Sequence, residues 1–345
     1  MSILDKLMGK GGGTPVWQSD AGDHPVGLAW CVGGRSVAVA RSGGVLELRD
    51  AASGQVTHAI EAHREGIITL SASVDGALVA TAGMDGYARV WDAASGARVA
   101  ELEGGAPWVE HARFAPRAAE LAIGAGKRVR IFDARSGALL GDCGPHASTV
   151  AGLDWSSTGD RVCVARYGGV DVWNRDGSRE RELEWKSSLV SIAWHPKDRY
   201  LAAGCQDNAV HYWKLVSGGD SMMGGYRAKP RAICWSQDGS FLASADGPTL
   251  VIWNYRGAGP EGTTPLQLEG GHEASISVLV AARSDQRIAS GGRDGSVCVW
   301  RPQRSDQPTM RARLSGVIEG LAFSPTGDRV AACAAAGTVA VWKLG

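Results

Sequence analysis

The sequence predicts an all-β fold, and two observations support this expectation. One motif recurs eight times at intervals of about 40 residues, and each copy contains short apolar strands separated by turns rich in Gly and Asp. Repeats of this length bury their apolar faces by stacking on one another, and in β-propellers each repeat contributes one four-stranded antiparallel blade. The sequence therefore predicts a single eight-bladed β-propeller. The residues that end the third strand of successive copies are Arg49, Trp91, Phe132, Trp173, Trp213, Trp253, Trp300 and Trp342.

The second copy shows the expected order of elements within one blade. Turns are predicted at 74–76 and 83–86, and the turn at 92–96 reads Asp-Ala-Ala-Ser-Gly, a sequence that also occurs at 50–54. The runs between these turns are apolar on both faces, as expected for strands that lie between two neighbouring blades. The four strands are expected at 67–70, 78–81, 87–91 and 98–102.

The two ends of the chain are expected to meet in one blade. The last copy reaches Trp342 three residues before the end of the sequence, so it lacks a fourth strand. The segment 14–19 precedes the first copy and has strand character. We predict that this N-terminal strand completes the C-terminal blade and closes the ring, which also covers an open strand edge. Seven blades, with one degenerate copy outside the ring, is the alternative.

The predicted propeller covers residues 14–345, and residues 1–13 are expected to be a flexible N-terminal extension. The run 3–8 contains four apolar residues at helical spacing, and a Gly-rich stretch follows it. A helix this short is marginal without a surface to pack on. The extension is therefore interpreted as a frayed terminus, with a docking peptide as the alternative.

The composition limits the class and location of the protein. The chain has 36 Lys and Arg against 36 Asp and Glu, and this zero net charge argues against a nucleic-acid binder. Seven cysteines, most of them in or beside apolar strands, are expected to be reduced thiols in the cytoplasm. No secretory signal pattern and no apolar run of membrane-spanning length is present, so no membrane association is predicted. We expect a monomeric propeller.

The spacing from a His before the first strand to the Trp-Asp end of the third strand, as at Trp91-Asp92, resembles the WD-repeat family. In that family a His, a Ser or Thr, an Asp and a Trp of one repeat form a hydrogen-bonded tetrad. The resemblance implies a structural role for such sets, and their recurrence in two blades favours scaffold over a hydrolase site. The two complete sets are His63, Thr81, Asp85 and Trp91, and His272, Ser290, Asp294 and Trp300.

The remaining copies have lost part of this set. His146 is expected to lack an acidic partner, because its copy is one residue shorter between the second and third strands. Trp185 and Tyr226 stand where the tetrad His would be. Their rings are interpreted either as filling the space of a lost tetrad or as anchors for a partner.

The sequence gives no indication of catalysis. Cys-x-x-Cys, His-Glu-x-x-His, phosphate-loop and Gly-x-Ser-x-Gly patterns are all absent from it. We therefore predict no catalytic residues, no metal site and no cofactor.

Binding is expected on one face of the ring. The resemblance implies that partners contact the face formed by the loops between blades and by the turns between second and third strands. Aromatic and Arg side chains dominate interface hot spots, whereas exposed charges are often only solvated or paired. The candidate partner-binding residues on this face are Trp108, Trp185, Tyr226, Lys186, Arg227, Lys229, Arg231, Arg166 and Arg293.

These observations predict a non-enzymatic scaffold that displays loops of a rigid propeller to one or more partner proteins. The alternative is a propeller that binds a small ligand or a metal in its central channel, with catalysis as an added option.

Overall fold

The computed structural model describes residues 13–257 and 259–345. The predicted extension over 1–13 therefore lies almost wholly outside the described residues. The described part of the chain forms 32 strands in eight four-stranded antiparallel sheets, together with one 3-10 turn at Val32–Gly34. The all-β expectation is confirmed, and so is the count of eight blades against the alternative of seven.

Blades 1 to 4 follow one another along the chain, and in each the strand that comes first lies next to the ring axis. Blade 1 contains β2 (Pro25–Cys31), β3 (Ser36–Arg41), β4 (Val45–Asp50) and β5 (Val56–Glu61). Blade 2 contains β6 (Ile67–Ala72), β7 (Leu78–Gly83), β8 (Tyr87–Asp92) and β9 (Arg98–Glu103). Blade 3 contains β10 (His111–Phe114), β11 (Glu120–Ala125), β12 (Arg128–Asp133) and β13 (Leu139–Cys143). Blade 4 contains β14 (Gly152–Trp155), β15 (Arg161–Arg166), β16 (Gly169–Asn174) and β17 (Arg179–Glu184).

Blades 5 to 7 repeat this order, and blade 8 takes one strand from the start of the chain. Blade 5 contains β18 (Leu189–Trp194), β19 (Tyr200–Cys205), β20 (Val210–Lys214) and β21 (Asp220–Met223). Blade 6 contains β22 (Ile233–Trp235), β23 (Phe241–Asp246), β24 (Thr249–Asn254) and β25 (Leu266–Leu268). Blade 7 contains β26 (Ile276–Ala281), β27 (Ile288–Gly292), β28 (Ser296–Trp300) and β29 (Met310–Arg313). Blade 8 contains β30 (Ile318–Phe323), β31 (Arg329–Ala334), β32 (Thr338–Lys343) and β1 (Trp17–Asp20).

The first strands of the eight blades form a closed inner ring. Each of them contacts the first strand of the next blade, and β30 of blade 8 contacts β2 of blade 1. The second and third strands behind this ring are almost entirely buried, because each is covered on both faces by a neighbouring blade. One hydrophobic cluster, for example, joins Leu78 and Val90 of blade 2 to Phe114 and Leu121 of blade 3. The core is therefore a series of apolar layers between blades.

The N-terminal strand β1 closes the ring as predicted. It pairs antiparallel with β32, with Trp17 opposite Val341 and Asp20 opposite Thr338. The Trp17 side chain is buried, and its Nε1–H donates a hydrogen bond of 3.0 Å to the carbonyl oxygen of Ala51 in blade 1. One residue thus belongs to the last blade by its backbone and contacts the first blade by its side chain.

The ring has two faces that differ in their connections. The upper face carries the loops that enter each blade and the turns between its second and third strands. The lower face carries the turns between first and second strands and between third and fourth strands.

His195, which follows β18 in blade 5, is a buried titratable side chain. Its Nε2 lies 3.1 Å from the carbonyl oxygen of Gly239, and its Nδ1 accepts a hydrogen bond of 3.0 Å from the backbone N–H of Lys197. This pairing needs one protonated and one unprotonated ring nitrogen, which is the neutral imidazole. Burial lowers the pKa of His195 to about 4, because the charged ring is costly away from water.

Trp17→Ala should reduce the free energy of unfolding by about 3–5 kcal/mol, because it leaves a cavity at the junction of blades 8 and 1. Urea denaturation measures this change. Val16→Ala, at an exposed neighbouring position, is the control and should change stability by less than about 1 kcal/mol. Equal effects of the two substitutions would contradict the closure.

Acidification should destabilise the wild-type protein between pH 6.5 and about 4. In this window His195 is protonated in the unfolded protein but stays neutral in the folded protein, so lowering the pH favours unfolding. Across this window the free energy of unfolding should fall by about 2–3 kcal/mol less in His195→Gln than in the wild type. Denaturation curves recorded across the window test the claim, and parallel pH profiles for the two proteins would refute it.

Candidate functional site

The first predicted tetrad forms a connected set of hydrogen bonds in blade 2. The His63 Nδ1 lies 2.9 Å from Asp85 Oδ1, and its Nε2 lies 2.9 Å from Thr81 Oγ1. The Trp91 Nε1–H donates to the same Thr81 oxygen at 2.9 Å. Arg89 extends the set, because its Nη1 donates to Asp85 Oδ2 at 2.6 Å. The set joins the entry loop, the second strand and the third strand of one blade.

The second predicted tetrad, in blade 7, is joined at only three of its four members. His272 Nε2 and the Trp300 Nε1–H both lie 2.7 Å from Ser290 Oγ. Asp294 Oδ1 lies 3.7 Å from His272 Nδ1, which is too far for a hydrogen bond. The Asp294 carboxylate instead accepts the backbone N–H of Glu273 at 2.7 Å.

Tyr226 takes the place of the tetrad His in blade 6. Its hydroxyl lies 2.6 Å from Ser244 Oγ and accepts a hydrogen bond of 2.8 Å from Trp253 Nε1–H. The side chain is buried, and burial raises the pKa of its hydroxyl to about 12. Of the two interpretations of Tyr226, the geometry favours the one in which it fills the place of a lost tetrad, because its ring and its hydroxyl are both used inside the blade.

His146 does have an acidic partner, so the expectation that it lacks one is wrong. Its Nδ1 lies 2.7 Å from Asp171 Oδ2, and both side chains are buried. The shorter connection between β15 and β16 brings an acid of the third strand, instead of an acid of the turn, to the His. Burial alone would raise the pKa of Asp171, but hydrogen bonds from His146, Arg166 and Arg179 hold it far below its usual range.

Arg166 is likewise unavailable to a partner, which corrects its prediction as a binding residue. Its Nε donates to Asp171 Oδ2 at 2.9 Å, and its Nη2 is paired with Glu182. The Arg166 side chain is 5% exposed. A buried guanidinium needs such partners, and here they occupy its hydrogen-bond donors.

Trp185 lies partly inside blade 5. Its ring stacks on the buried ring of His211 with centroids 3.8 Å apart and an angle of 19° between the planes. The side chain is half-buried. Trp185 thus fills the space of the missing tetrad His while keeping one part open to solvent.

The other predicted binding residues are exposed, whereas the aromatic side chains Trp185 and Tyr226 beside them are half-buried and buried. Arg227 lies 3.2 Å by its Nε from Asp246 Oδ2, yet its side chain remains 67% exposed. The tips of the loops that enter blades 5 and 6 therefore present basic side chains above aromatic rings that are wholly or partly covered. The exposed residues of the predicted set are Trp108, Lys186, Arg227, Lys229, Arg231 and Arg293.

A second aromatic side chain joins Trp108 on the upper face. Trp108 is 57% exposed in the loop that enters blade 3, and Tyr167 is 64% exposed in the turn between β15 and β16. Met84, in the corresponding turn of blade 2, is 39% exposed. Tyr167 is not among the predicted binding residues, although the repeat pattern has no aromatic residue at the tip of this short turn. We call Met84, Trp108, Lys127, Tyr167 and Lys186 the upper row.

Backbone hydrogen bonds connect the turns and loops that carry the upper row. The loop before β10 is tied to the turn of blade 2, because Gly104 N–H donates to Gly86 O at 2.9 Å. The loop before β14 is tied to the turn of blade 3, because His146 N–H donates to Lys127 O at 2.8 Å. The five side chains therefore stand on a continuous series of connected turns across blades 2 to 5.

The same connections continue around Tyr167. Its backbone N–H donates to Ser148 Oγ at 2.9 Å, and Trp185 N–H donates to Gly168 O at 3.0 Å. The Lys127 ammonium donates to the carbonyl oxygen of Ala147 at 3.3 Å. Lys127 and Lys186, in the elements on either side of Tyr167, are both exposed. The row thus combines exposed apolar surface with positive charge on fixed backbone.

Asp85→Ala should reduce the free energy of unfolding by about 1–3 kcal/mol, because it leaves His63 and Arg89 without their carboxylate. Asp207 occupies the equivalent position in blade 5, where Trp185 replaces the His, and it is exposed. Asp207→Ala is the matched control and should cost less than about 0.5 kcal/mol. Denaturation midpoints that move equally in both variants would contradict a specific role for the set.

Comparisons with known proteins agree with this architecture. The chain matches a family model described as "WD domain, G-beta repeat" at residues 54–92, 177–214, 215–254, 263–301 and 307–343. The computationally designed Ika8 protein, a solved structure, aligns with a TM-score of 0.81 at 21% identity over 94% of this chain and 98% of that chain. At this identity the likeness shows the fold alone.

Curated relatives match over part of their length. The transcriptional corepressor LEUNIG_HOMOLOG of Arabidopsis thaliana is 23% identical over 80% of this chain and 35% of its own length. Actin-interacting protein 1 of Caenorhabditis elegans is 24% identical over 83% of this chain and 47% of its own length. The chain thus spans less than half of each of these relatives. The family model covers more than half of the chain, and the chain belongs to the WD-repeat family.

Proposed function

We propose that the chain is a non-enzymatic scaffold that holds a partner protein on the upper row. The observation that carries this proposal is the exposure of Trp108 and Tyr167 on turns fixed by backbone hydrogen bonds. Large aromatic side chains have few rotatable bonds, and a fixed backbone beneath them loses little conformational freedom on binding, so more of their burial contributes to affinity.

The charges of the upper row define the chemistry of this partner. Lys127 and Lys186 flank Tyr167, while Arg166 beneath it is neutralised by its own acids. A partner segment in which apolar side chains lie next to Asp or Glu would contact both the aromatic rings and the lysines of the upper row. Such rim charges mainly set the association rate and the choice of partner, whereas the aromatic contacts supply affinity.

Two further features agree with this proposal. The name of actin-interacting protein 1 describes a protein that acts through a protein partner, and that relative matches most of this chain. All seven cysteines are free thiols, six of them buried, which fits the reducing conditions of the cytoplasm. None of the described residues forms a helix long and apolar enough to cross a membrane. From the reduced thiols we propose a cytoplasmic location, and we propose that the propeller acts as a monomer.

The test compares binding partners captured from a cell extract by three forms of the protein. Trp108→Ala with Tyr167→Ala removes both anchors of the upper row. Val216→Ala removes an 82% exposed apolar side chain after β20, at the lower face, and is the matched control. Each variant is first shown to have the wild-type melting temperature.

We expect the wild type and Val216→Ala to capture the same proteins and the double variant to lose them, with affinity for a purified partner weakened at least about 100-fold. Retention of the same partners by the double variant would show that the upper row is not the docking site.

A further inference from the structure

The lower half of the central channel is a cavity with a volume of about 660 Å³. All eight blades contribute to its wall, from Leu28 of blade 1 to Phe323 of blade 8. This volume falls in the range of pockets that hold small molecules in proteins. The cavity is distinct from the upper row, which lies on the opposite face.

Two arginines from opposite sides of the ring line this cavity. Arg113 belongs to β10 of blade 3, and Arg283 follows β26 of blade 7. In a closed ring of eight blades, three blades separate blade 3 from blade 7 in either direction, so the two side chains enter the channel from opposite walls. Both side chains line the same cavity, and the positive charge of Arg113 adds to the effect of burial in lowering the pKa of Arg283.

Arg283 has no carboxylate within 4.0 Å among the described residues, whereas Arg113 has one. The Arg113 Nη1 lies 3.2 Å from Asp154 Oδ1. Arg283 is exposed to the solvent of the channel, and the surrounding wall lowers the pKa of its guanidinium. Two cations that face one cavity, one of them without an acid, create a positive potential that attracts an anion between them.

The other ionisable groups that line the cavity do not neutralise Arg283. Asp154 is already held, because its two oxygens accept the backbone N–H groups of Trp155 and Trp194, each at 2.9 Å. Asp75 lies in the rim turn of blade 2, where its Oδ1 accepts bonds from Ser73 and Ala77. Burial raises the pKa of the Cys234 thiol to about 12, so this group is neutral.

We propose that the lower channel binds a small polyanion, a phosphate- or polycarboxylate-bearing molecule whose charged groups bridge Arg283 and Arg113. Both guanidinium groups donate to its oxygens, and Asp154 keeps Arg113 oriented towards the axis. Guanidinium groups suit such a ligand because their planar donors match phosphate and carboxylate oxygens. A folded protein partner does not fit inside the ring, so this ligand is a small molecule.

The experiment measures the affinity of the full chain for sodium pyrophosphate and for citrate by titration calorimetry at low salt, with sodium chloride of equal ionic strength as the blank. Pyrophosphate represents a phosphate ligand and citrate a carboxylate ligand. The variants are Arg283→Gln, Arg283→Lys and Arg304→Gln. Arg304 is an exposed arginine of the lower face outside the channel and serves as the matched control.

We expect saturable binding of at least one anion at a ratio of one per chain, weakened about tenfold or more in Arg283→Gln and unchanged in Arg304→Gln. Arg283→Lys should keep part of the affinity, because it retains the charge. Without an anion, Arg283→Gln should melt no lower than the wild type, because it relieves repulsion with Arg113.

Three results would overturn the proposal: no saturable heat with either anion, equal losses in Arg283→Gln and Arg304→Gln, or a lower melting temperature of anion-free Arg283→Gln. The last result would assign Arg283 a structural role. None of these results bears on the upper row, so the two proposals stand or fall independently.

Discussion

The pairing of β1 with β32 is the contact on which the rest of the structure depends. An open array of blades would leave an apolar face at each end and a bare strand edge on the last blade. Here the N-terminal strand covers that edge, while the Trp17 ring reaches the first blade. Every blade therefore has two neighbours, which is why second and third strands are buried throughout the ring.

The closed ring also determines what the upper face can do. The turns of one blade accept hydrogen bonds from the loop that enters the next blade, and this pattern continues through blades 2 to 5. The backbone of these turns is thus held by hydrogen bonds from the neighbouring loop. A scaffold needs such fixed positions, because the entropy of ordering its binding groups is then lost during folding and not during association.

The number of blades, their strands and the closing strand could be predicted from the sequence, because they follow from repeat length and from one missing strand. Hydrogen bonding inside degenerate blades could not. In blade 4 the connection between the second and third strands is one residue shorter, and Asp171, two residues before Trp173, takes the role of the turn acid. Blade 1 has the same shorter connection, and its buried Glu47 pairs with Arg49. An acid two residues before the strand-ending residue is the sequence signal for this arrangement.

Exposure was the least predictable property of the candidate site. Tyr226 occupies a tetrad position, so its hydroxyl satisfies the Ser and Trp of its own blade, whereas Tyr167 has no such partner and points to solvent. The sequence alone does not separate these cases, because each depends on side chains tens of residues away. The basic residues of blades 5 and 6 are exposed on the upper face as predicted, but of the two aromatic residues among them Tyr226 is buried and Trp185 is half-buried.

Native-state hydrogen exchange measures whether the closed ring opens as a single cooperative unit. We expect the slowest amides of the second and third strands in all eight blades to exchange through the same opening reaction, with one free energy equal to that of global unfolding. Exchange that is markedly faster in blades 1 and 8 than in blades 4 and 5 would contradict this expectation, because the junction at β1 would then open without the rest of the ring.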